Sequence, residues 1–374
     1  MRTSLPLCVA VMVSFHSCSP LAPDVEEFAD PEGEILREMN NSGIPSIAAY
    51  VVKGDDIVWE RYYGYADVAR RRVPDSSTSY ALASVSKLIV VTAVMQLHEQ
   101  GLIDLYADVN RYLPFSVRNP KYPDRSITAY QLLTHTSGLA WPLTDSEVPG
   151  MFTKYRLDTA PPLREWLPRY LLPEGEHYVP SVWKNTRPGE RELYSNIGVS
   201  LLAYLVEEVS DTTFNAYCKQ HIFDPLAMSN TSYDYADLDL NNVAAMYRGG
   251  LQIELYRELC YPSGYLKSSL EDFSHFLIAY MRGGQFRGRR ILQERTVEEI
   301  LTIRNMASGV CLIWNCTLGD WYGHAGGIDG GASYVEFQRE GNLGLMVVSN
   351  MHSKSLYPGG KIHALLRRIS GRYQ

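Results

Sequence analysis

Ser84-Val85-Ser86-Lys87 sets a hydroxyl and an amine three residues apart. On a helix, that spacing stacks the two side chains on one face. An amine that has lost its proton beside a serine hydroxyl is a base, and the serine it deprotonates can form a covalent acyl intermediate. The pattern alone is weak, because about one chance match is expected in a chain of this length. Ser181-Val182-Trp183-Lys184 is such a match. Context separates the two. Ser84 opens onto Leu88, Ile89, Val90, Val91, Ala93, Val94, Met95 and Leu97, a run apolar almost all round that stops at Gly101. This predicts a buried helix with a glycine stop. Its free N–H groups and dipole favour negative charge at Ser84, and burial lowers the pKa of Lys87. Ser181 follows Pro180 and is closed off by Pro188, with no helix to support it. Taken in isolation, Ser84 still reads best as a helix cap, a common role for serine.

Two further groups change that balance. Tyr194-Ser195-Asn196 precedes a helical run from Gly198 to Val209. A phenol beside a lysine can relay a proton, and an amide can orient a lysine or a substrate carbonyl. By itself the triplet reads as a packed aromatic ring next to an asparagine cap. His324-Ala325-Gly326-Gly327 is followed by Gly330-Gly331-Ala332-Ser333. Glycines weaken a strand unless something must approach its backbone closely, and a substrate lying along a sheet edge is such a thing. A glycine-rich hairpin with a surface histidine fits the same residues.

The elements that must position these groups are legible in outline. Ser46 to Ala66 reads as two strands joined by a turn at Lys53-Gly54-Asp55-Asp56. Leu88 to Gln100, Gly198 to Val209 and Ser269 to Met281 carry helix-spaced apolar residues. Cys311 to Trp314, Trp321 to Gly323, Tyr334 to Phe337 and Leu343 to Ser349 read as strands, and Lys361 to Arg368 as a closing helix. The pattern predicts an α+β fold: an antiparallel sheet built from N- and C-terminal segments, flanked by helices, with a mainly helical insertion. The α/β part is expected over 31–80 and 291–374, and the helical part over 81–290. The long stretch from Trp141 to Pro188, rich in Pro, Trp and Tyr, is expected to form a wall or lid that selects substrate.

Composition bounds the rest. At 374 residues the chain can bury a large core, and a net charge of -7 argues against a general nucleic-acid binder. Arg70-Arg71-Arg72 and Arg287-Gly288-Arg289-Arg290 sit beside turn residues and read as solvated loops. Met1-Arg2, the apolar run Leu5 to Phe15 and then Ser17-Cys18-Ser19-Pro20 read as an export signal over 1–17, with a tether over 18–30. Cys18 after a small residue resembles a lipoprotein cleavage site, although Phe15 departs from the usual leucine. The expected location is periplasmic or extracellular, with lipid anchoring open. Cys218, Cys260, Cys311 and Cys316 form no CxxC pair, so a zinc site has no support. Cys311 and Cys316 could bridge a tight hairpin or stay unpaired in the core. No G-x-S-x-G elbow occurs, and His98-Glu99 begins a zincin motif that Leu102 breaks.

In order and spacing, SxxK at Ser84, YxN at Tyr194 and His-x-Gly at His324 resemble the serine beta-lactamase and penicillin-binding-protein superfamily. Class C beta-lactamases, D-Ala-D-Ala carboxypeptidases and related esterases belong to it. Leu132-Leu133-Thr134-His135-Thr136-Ser137-Gly138-Leu139, Pro188-Gly189-Glu190 and Gly264-Tyr265-Leu266 extend the resemblance over roughly residues 30 to 370. It implies a serine hydrolase acting on a small-molecule or peptide amide or ester, with no cofactor and no metal. Ser84 would attack, Lys87 and Tyr194 would move its proton, and Asn196 would orient Lys87 and the substrate. His324, Gly326 and Gly327 would bind substrate, and the N–H groups of Ser84 and Gly327 would form the oxyanion hole. His135 is expected to be structural. His324 stands where many members carry a lysine that holds a substrate carboxylate, leaving beta-lactam, peptide and ester substrates open. The rival expectation is a protein of the same fold that is acylated once, or that binds cell-wall or beta-lactam compounds without turnover.

Overall fold

The computed structural model describes residues 30–141, 147–317 and 320–374. The expected signal, tether and Cys18 lie outside the described residues. No described helix is long and apolar enough to cross a membrane.

Six antiparallel strands form one sheet: β1 (Ser46–Lys53), β2 (Asp56–Gly64), β3 (Asn315–Thr317), β4 (Trp321–Ile328), β5 (Gly331–Gln338) and β6 (Leu343–Ser349), in the order β3-β4-β5-β6-β1-β2. The N-terminal hairpin docks on the C-terminal strands through Ile47↔Ser349 to Lys53↔Leu343. Both faces of the inner strands are buried, and alternation decides which residue goes where. Ala48, Tyr50 and Val52 of β1, with Met346 and Val348 of β6, face the larger core. Ile47, Ala49, Val51, Leu345 and Val347 face the smaller one.

Among the described residues, seven helices of eight residues or more accompany this sheet: α1 (Pro31–Asn41), α2 (Lys87–Glu99), α3 (Leu163–Leu171), α4 (Asn196–Ser210), α5 (Leu270–Met281), α6 (Glu294–Leu301) and α7 (Lys361–Gly371). Helices α1 and α7 cover the smaller core, while α2, α4 and α5 fill the larger one. Helix α2 is buried at every residue from Lys87 to Leu97, as its all-round apolar pattern predicts.

Two local expectations need correction. Cys311 to Trp314 is not a strand. It is a buried turn in which Ile313 adopts a positive φ of 66° and donates its N–H to Leu133 O, and pairing begins only at Asn315. Its apolar residues are buried because the turn plugs the core beside Leu133, so burial imitated a strand pattern. Trp141 to Pro188 is not one loop, since it contains α3 and a short strand, Tyr155–Arg156, paired with Tyr256–Arg257. Of the two alternatives left open for Cys311 and Cys316, the structure shows thiols and no disulfide between them.

The smaller core holds one buried charge cluster. Glu336 of β5 is 0% exposed and accepts from Arg367 at 2.5 Å, His363 at 3.0 Å and Tyr334 Oη at 3.0 Å, and the Arg367 guanidinium lies 3.5 Å from the Trp321 ring centroid. A carboxylate this enclosed is tolerable only with such partners, and removing one side of a buried pair costs about 3–5 kcal/mol. Glu336→Ala is therefore expected to lower the unfolding free energy by about 3 kcal/mol in urea titrations at unchanged m. A change below about 1 kcal/mol would show that α7 is held by apolar contacts alone.

Candidate active site

The backbone leading to α2 is turned sharply. Ala83 takes a positive φ of 48°, and Ala83–Ser86 form a 3₁₀ turn rather than the first turn of the α-helix. A non-glycine residue in this region costs about 1–3 kcal/mol and persists only where its surroundings enforce it. The surroundings here are specific. Leu82 N donates to Leu266 O at 2.9 Å, Ser333 Oγ donates to Leu82 O at 2.5 Å, and Ser86 Oγ donates to Ala83 O at 2.5 Å. Ser86 Oγ also accepts from Leu266 N at 3.1 Å. Ser86 is thus a structural pin of the turn, a role its place inside the motif did not reveal.

Ser84 caps nothing: neither the 3₁₀ turn nor α2 has a side-chain cap. Its Oγ instead receives hydrogen bonds from Lys87 Nζ at 2.9 Å and Tyr194 Oη at 2.8 Å. The cap reading of Ser84 is excluded by this geometry. Ser181 lies exposed on a short turn, bonded to Glu147 O.

Lys87 is wholly buried, and its second partner is the carbonyl of Ser263 at 2.5 Å. No carboxylate within 4 Å pairs with it among the described residues. Burial therefore drives its pKa well below the usual lysine value, with a small opposing effect from Cys260. Tyr194 is 41% exposed as a residue, but desolvation of its phenol within the site raises it above its usual value, only partly offset by its bond to Ser84. The two shifts divide the labour. The amine is easy to hold unprotonated and the phenolate is hard to form, so Lys87 suits the base and Tyr194 suits a proton relay. A neutral amine carries a lone pair that can accept the Ser84 hydroxyl proton, whereas an ammonium has none.

Tyr194 is fixed from below. His135, at a positive φ of 56°, places its ring 4.8 Å from the Tyr194 ring, and its Nδ1 accepts from Ser195 N at 3.3 Å. Trp141 N donates to Tyr194 O at 3.0 Å. Burial lowers His135 to about 3, so it is neutral.

Asn196 opens α4, but Ser195 is the cap, accepting from Gly198 N at 3.0 Å. The expected bond from Asn196 to Lys87 is not made. Asn196 Oδ1 is buried with no hydrogen-bond partner, while Ser263 O holds the amine in its place. An unsatisfied buried acceptor costs about 1–3 kcal/mol, so Asn196 is poised for a donor that a bound molecule would bring. Ser263 was missed because a backbone carbonyl leaves no trace in residue type.

Strand β4 forms the opposite wall. The bonds of β3 reach only Trp321 to Gly323, so residues 324–328 have an outer edge without a strand partner among the described residues. A Cβ at Gly326 would lie 2.5 Å from Leu82 O and Ser333 Oγ and 2.9 Å from Ser84 N. Only glycine lets β4 come this close to the turn, and its approach sets the Ser84 N–H beside the strand.

His324 is 6% exposed, and burial lowers it to about 3. Its Nδ1 sits 2.7 Å from Ala325 O, which assigns the proton to Nδ1 and leaves Nε2 as an acceptor. It offers a lone pair and no charge.

The remaining wall is the segment 256–263, roofed by residues 147–158. Met151 Sδ touches Cys260 Sγ at 3.8 Å, and Lys154 pairs with Asp329 at the tip of the β4–β5 hairpin. Asp158 accepts from the N–H groups of Tyr235 and Ala236, each at 3.0 Å, fixing the end of the roof. Burial raises Glu258 to about 7 beside Tyr265. The Pro- and aromatic-rich stretch meets segment 256–263 and the hairpin tip through these contacts, and its residues 142–146 lie outside the described residues.

The chain is similar to several known proteins. Protein flp of Staphylococcus aureus strain N315 is 23% identical over 333 residues, covering 86% of this chain and 62% of its own length. Beta-lactamase-like protein 2 of Dictyostelium discoideum is 27% identical, covering 75% of this chain and 50% of itself. The chain therefore spans less than two thirds of the length of these curated relatives. Among solved structures, the octameric penicillin-binding protein homologue from Pyrococcus abyssi superposes with a TM-score of 0.70 at 24% identity, covering 91% of this chain and 76% of its own. A class C beta-lactamase superposes at 0.72 and 17% identity, covering 90% and 94%. The Beta-lactamase family model matches residues 32–363, nearly the whole described chain. This chain belongs to the Beta-lactamase family.

Proposed function

We propose that the protein is a serine hydrolase that is acylated at Ser84 by an ester or amide carbonyl and then releases the acyl group to water. One observation carries the reading: Ser84 Oγ is held at once by the Lys87 amine and the Tyr194 phenol, at 2.9 and 2.8 Å. Lys87, neutral through burial, takes the hydroxyl proton as Oγ attacks. Tyr194 passes a proton to the leaving group, and the pair then activates water for hydrolysis of the ester to Ser84. The N–H groups of Ser84 and Gly327 stabilise the oxyanion, each donor being worth about 3 kcal/mol. His324 supports a finer reading of the substrate. A neutral ring presenting an acceptor repels a carboxylate and suits a hydroxyl or amide N–H, so an uncharged ester or amide is favoured over a beta-lactam or a D-Ala-D-Ala terminus.

Ser84→Ala is expected to abolish turnover of p-nitrophenyl esters and mass labelling by an acylating probe. The hydroxyl caps no helix, but its loss leaves the Lys87 and Tyr194 donors one partner short, so the unfolding free energy should fall by about 1–3 kcal/mol. Labelling that persists in this variant would move the nucleophile elsewhere. One equivalent of label on the wild-type protein without turnover would instead mark a protein acylated once. The pH dependence has a definite sign: with the amine depressed, the acylation rate rises as pH climbs through the pKa of Lys87 and then stays level. Lys87→Arg, which cannot deprotonate, should abolish the rise, and a profile flat from pH 5 to 9 in the wild type would remove Lys87 as base. His324→Lys is expected to raise kcat/KM for carboxylate-bearing esters relative to neutral ones by about tenfold or more, the scale of one charge-assisted hydrogen bond. No change in that ratio would show that His324 does not face the substrate.

A further inference from the structure

Gly327 is pressed from the side away from Ser84. A Cβ there would lie 2.5 Å from Tyr357 Oη and 2.9 Å from His352 Nε2. Tyr357 Oη also donates to Gly326 O at 2.9 Å, in a buried hydrogen bond. Gly326 C=O and Gly327 N–H are the two ends of one peptide unit, and the described chain has no cis peptide. In a trans unit these two groups point in opposite directions. A donor fixed on the carbonyl oxygen therefore does two things. It holds the plane so that the N–H faces away from Tyr357, and it draws electron density toward the oxygen, leaving the N–H more acidic and a stronger donor. Chained hydrogen bonds reinforce one another by about 10–30% each in such surroundings. His352 Nε2 stands 3.5 Å from the same phenol oxygen, whose single proton is already given to Gly326 O. The imidazole is thus the donor of that contact, and the chain runs from His352 through Tyr357 to the peptide.

We propose that Tyr357, backed by His352, is a positioning residue that orients and polarises the Gly326–Gly327 peptide as an oxyanion-hole donor. Among the described residues Tyr357 makes no hydrogen bond to Ser84; it lies within electrostatic range of Tyr194, and the role assigned to it here is through this peptide. The inference rests on the proposed acylation at Ser84. It explains why two glycines occur in succession: Gly326 admits the Ser84 turn, and Gly327 admits the phenol and the imidazole on the other face. Ser353-Lys354-Ser355-Leu356-Tyr357 carries no motif, which is why the sequence was silent about it.

The test uses the full chain, p-nitrophenyl acetate carrying a ¹³C-labelled carbonyl, and infrared difference spectra of the acyl-enzyme at mildly acidic pH, where release is slow. Tyr357→Phe keeps the ring and removes only the donor. It should still be acylated at Ser84, with kcat lowered about tenfold, KM unchanged, and the acyl carbonyl stretch moved to higher wavenumber. His352→Gln, which leaves the phenol in place, should move the stretch the same way by less, and it serves alone if Tyr357→Phe does not fold. A purely packing role would not shift the carbonyl band. A band and kcat equal to wild type in these variants would overturn the proposal. A wild-type protein that takes no label at Ser84 would overturn the acylation reading itself, a distinct outcome.

Discussion

A lysine ammonium placed in the interior with no carboxylate beside it is unstable as a charge, and the rest of the site follows from that constraint. Lys87 sits in the first turn of a helix that is buried at every position along its apolar run, and its partners are a hydroxyl and a backbone carbonyl. A carboxylate at the place of Ser263 O would hold the proton on the amine and end its usefulness as a base. A carbonyl accepts a hydrogen bond from either protonation state and adds no compensating charge. The burial that disfavours the ammonium also disfavours a Tyr194 phenolate, and would disfavour charge on His135 and His324. The groups around Ser84 are thus ones whose charged forms burial disfavours, and in the proposed reaction charge arises there when Ser84 attacks. In such a low-dielectric setting, fixed N–H donors act most strongly on that new charge.

Holding Ser84 in that pocket has a local cost, which the sheet absorbs. The left-handed Ala83 is fixed by bonds from three separate parts of the chain: Ser333 on β5, Leu266 before α5, and Ser86 within the turn. The sheet strands that meet there come from the C-terminal half, and β1 stitches them to the N-terminal hairpin. The turn therefore depends on the whole sheet being closed. That explains how residues 84, 194 and 324, far apart in sequence, become neighbours.

How much of this was legible varied with the physical origin of each feature. The Ser84–Lys87 contact was readable from the i, i+3 spacing, although a 3₁₀ turn rather than the first turn of α2 provides it, and the all-round apolar run announced burial. The hairpin at Lys53 to Asp56 and the helices at 87–99, 196–210 and 270–281 were readable from periodicity. Tyr194 and His324 entered through resemblance, since nothing local reports a contact across more than a hundred residues. Partners that act through the backbone were invisible, as with Ser263 O and the Gly326 carbonyl. Cys311 to Trp314 misled because a buried turn and a buried strand share the same apolar composition. The tautomer of His324 was not legible, because it follows from the Ala325 carbonyl beside it, which a sequence does not place.

The claim that matters most is that the Lys87 amine is neutral at neutral pH. It is tested most directly by ¹⁵N-detected titration of the lysine side chains, with the Lys87 signal assigned by its absence in Lys87→Met. The account predicts that this resonance titrates well below the ordinary lysine value of about 10.4. A Lys87 that keeps its proton up to that ordinary value would contradict the account at its base.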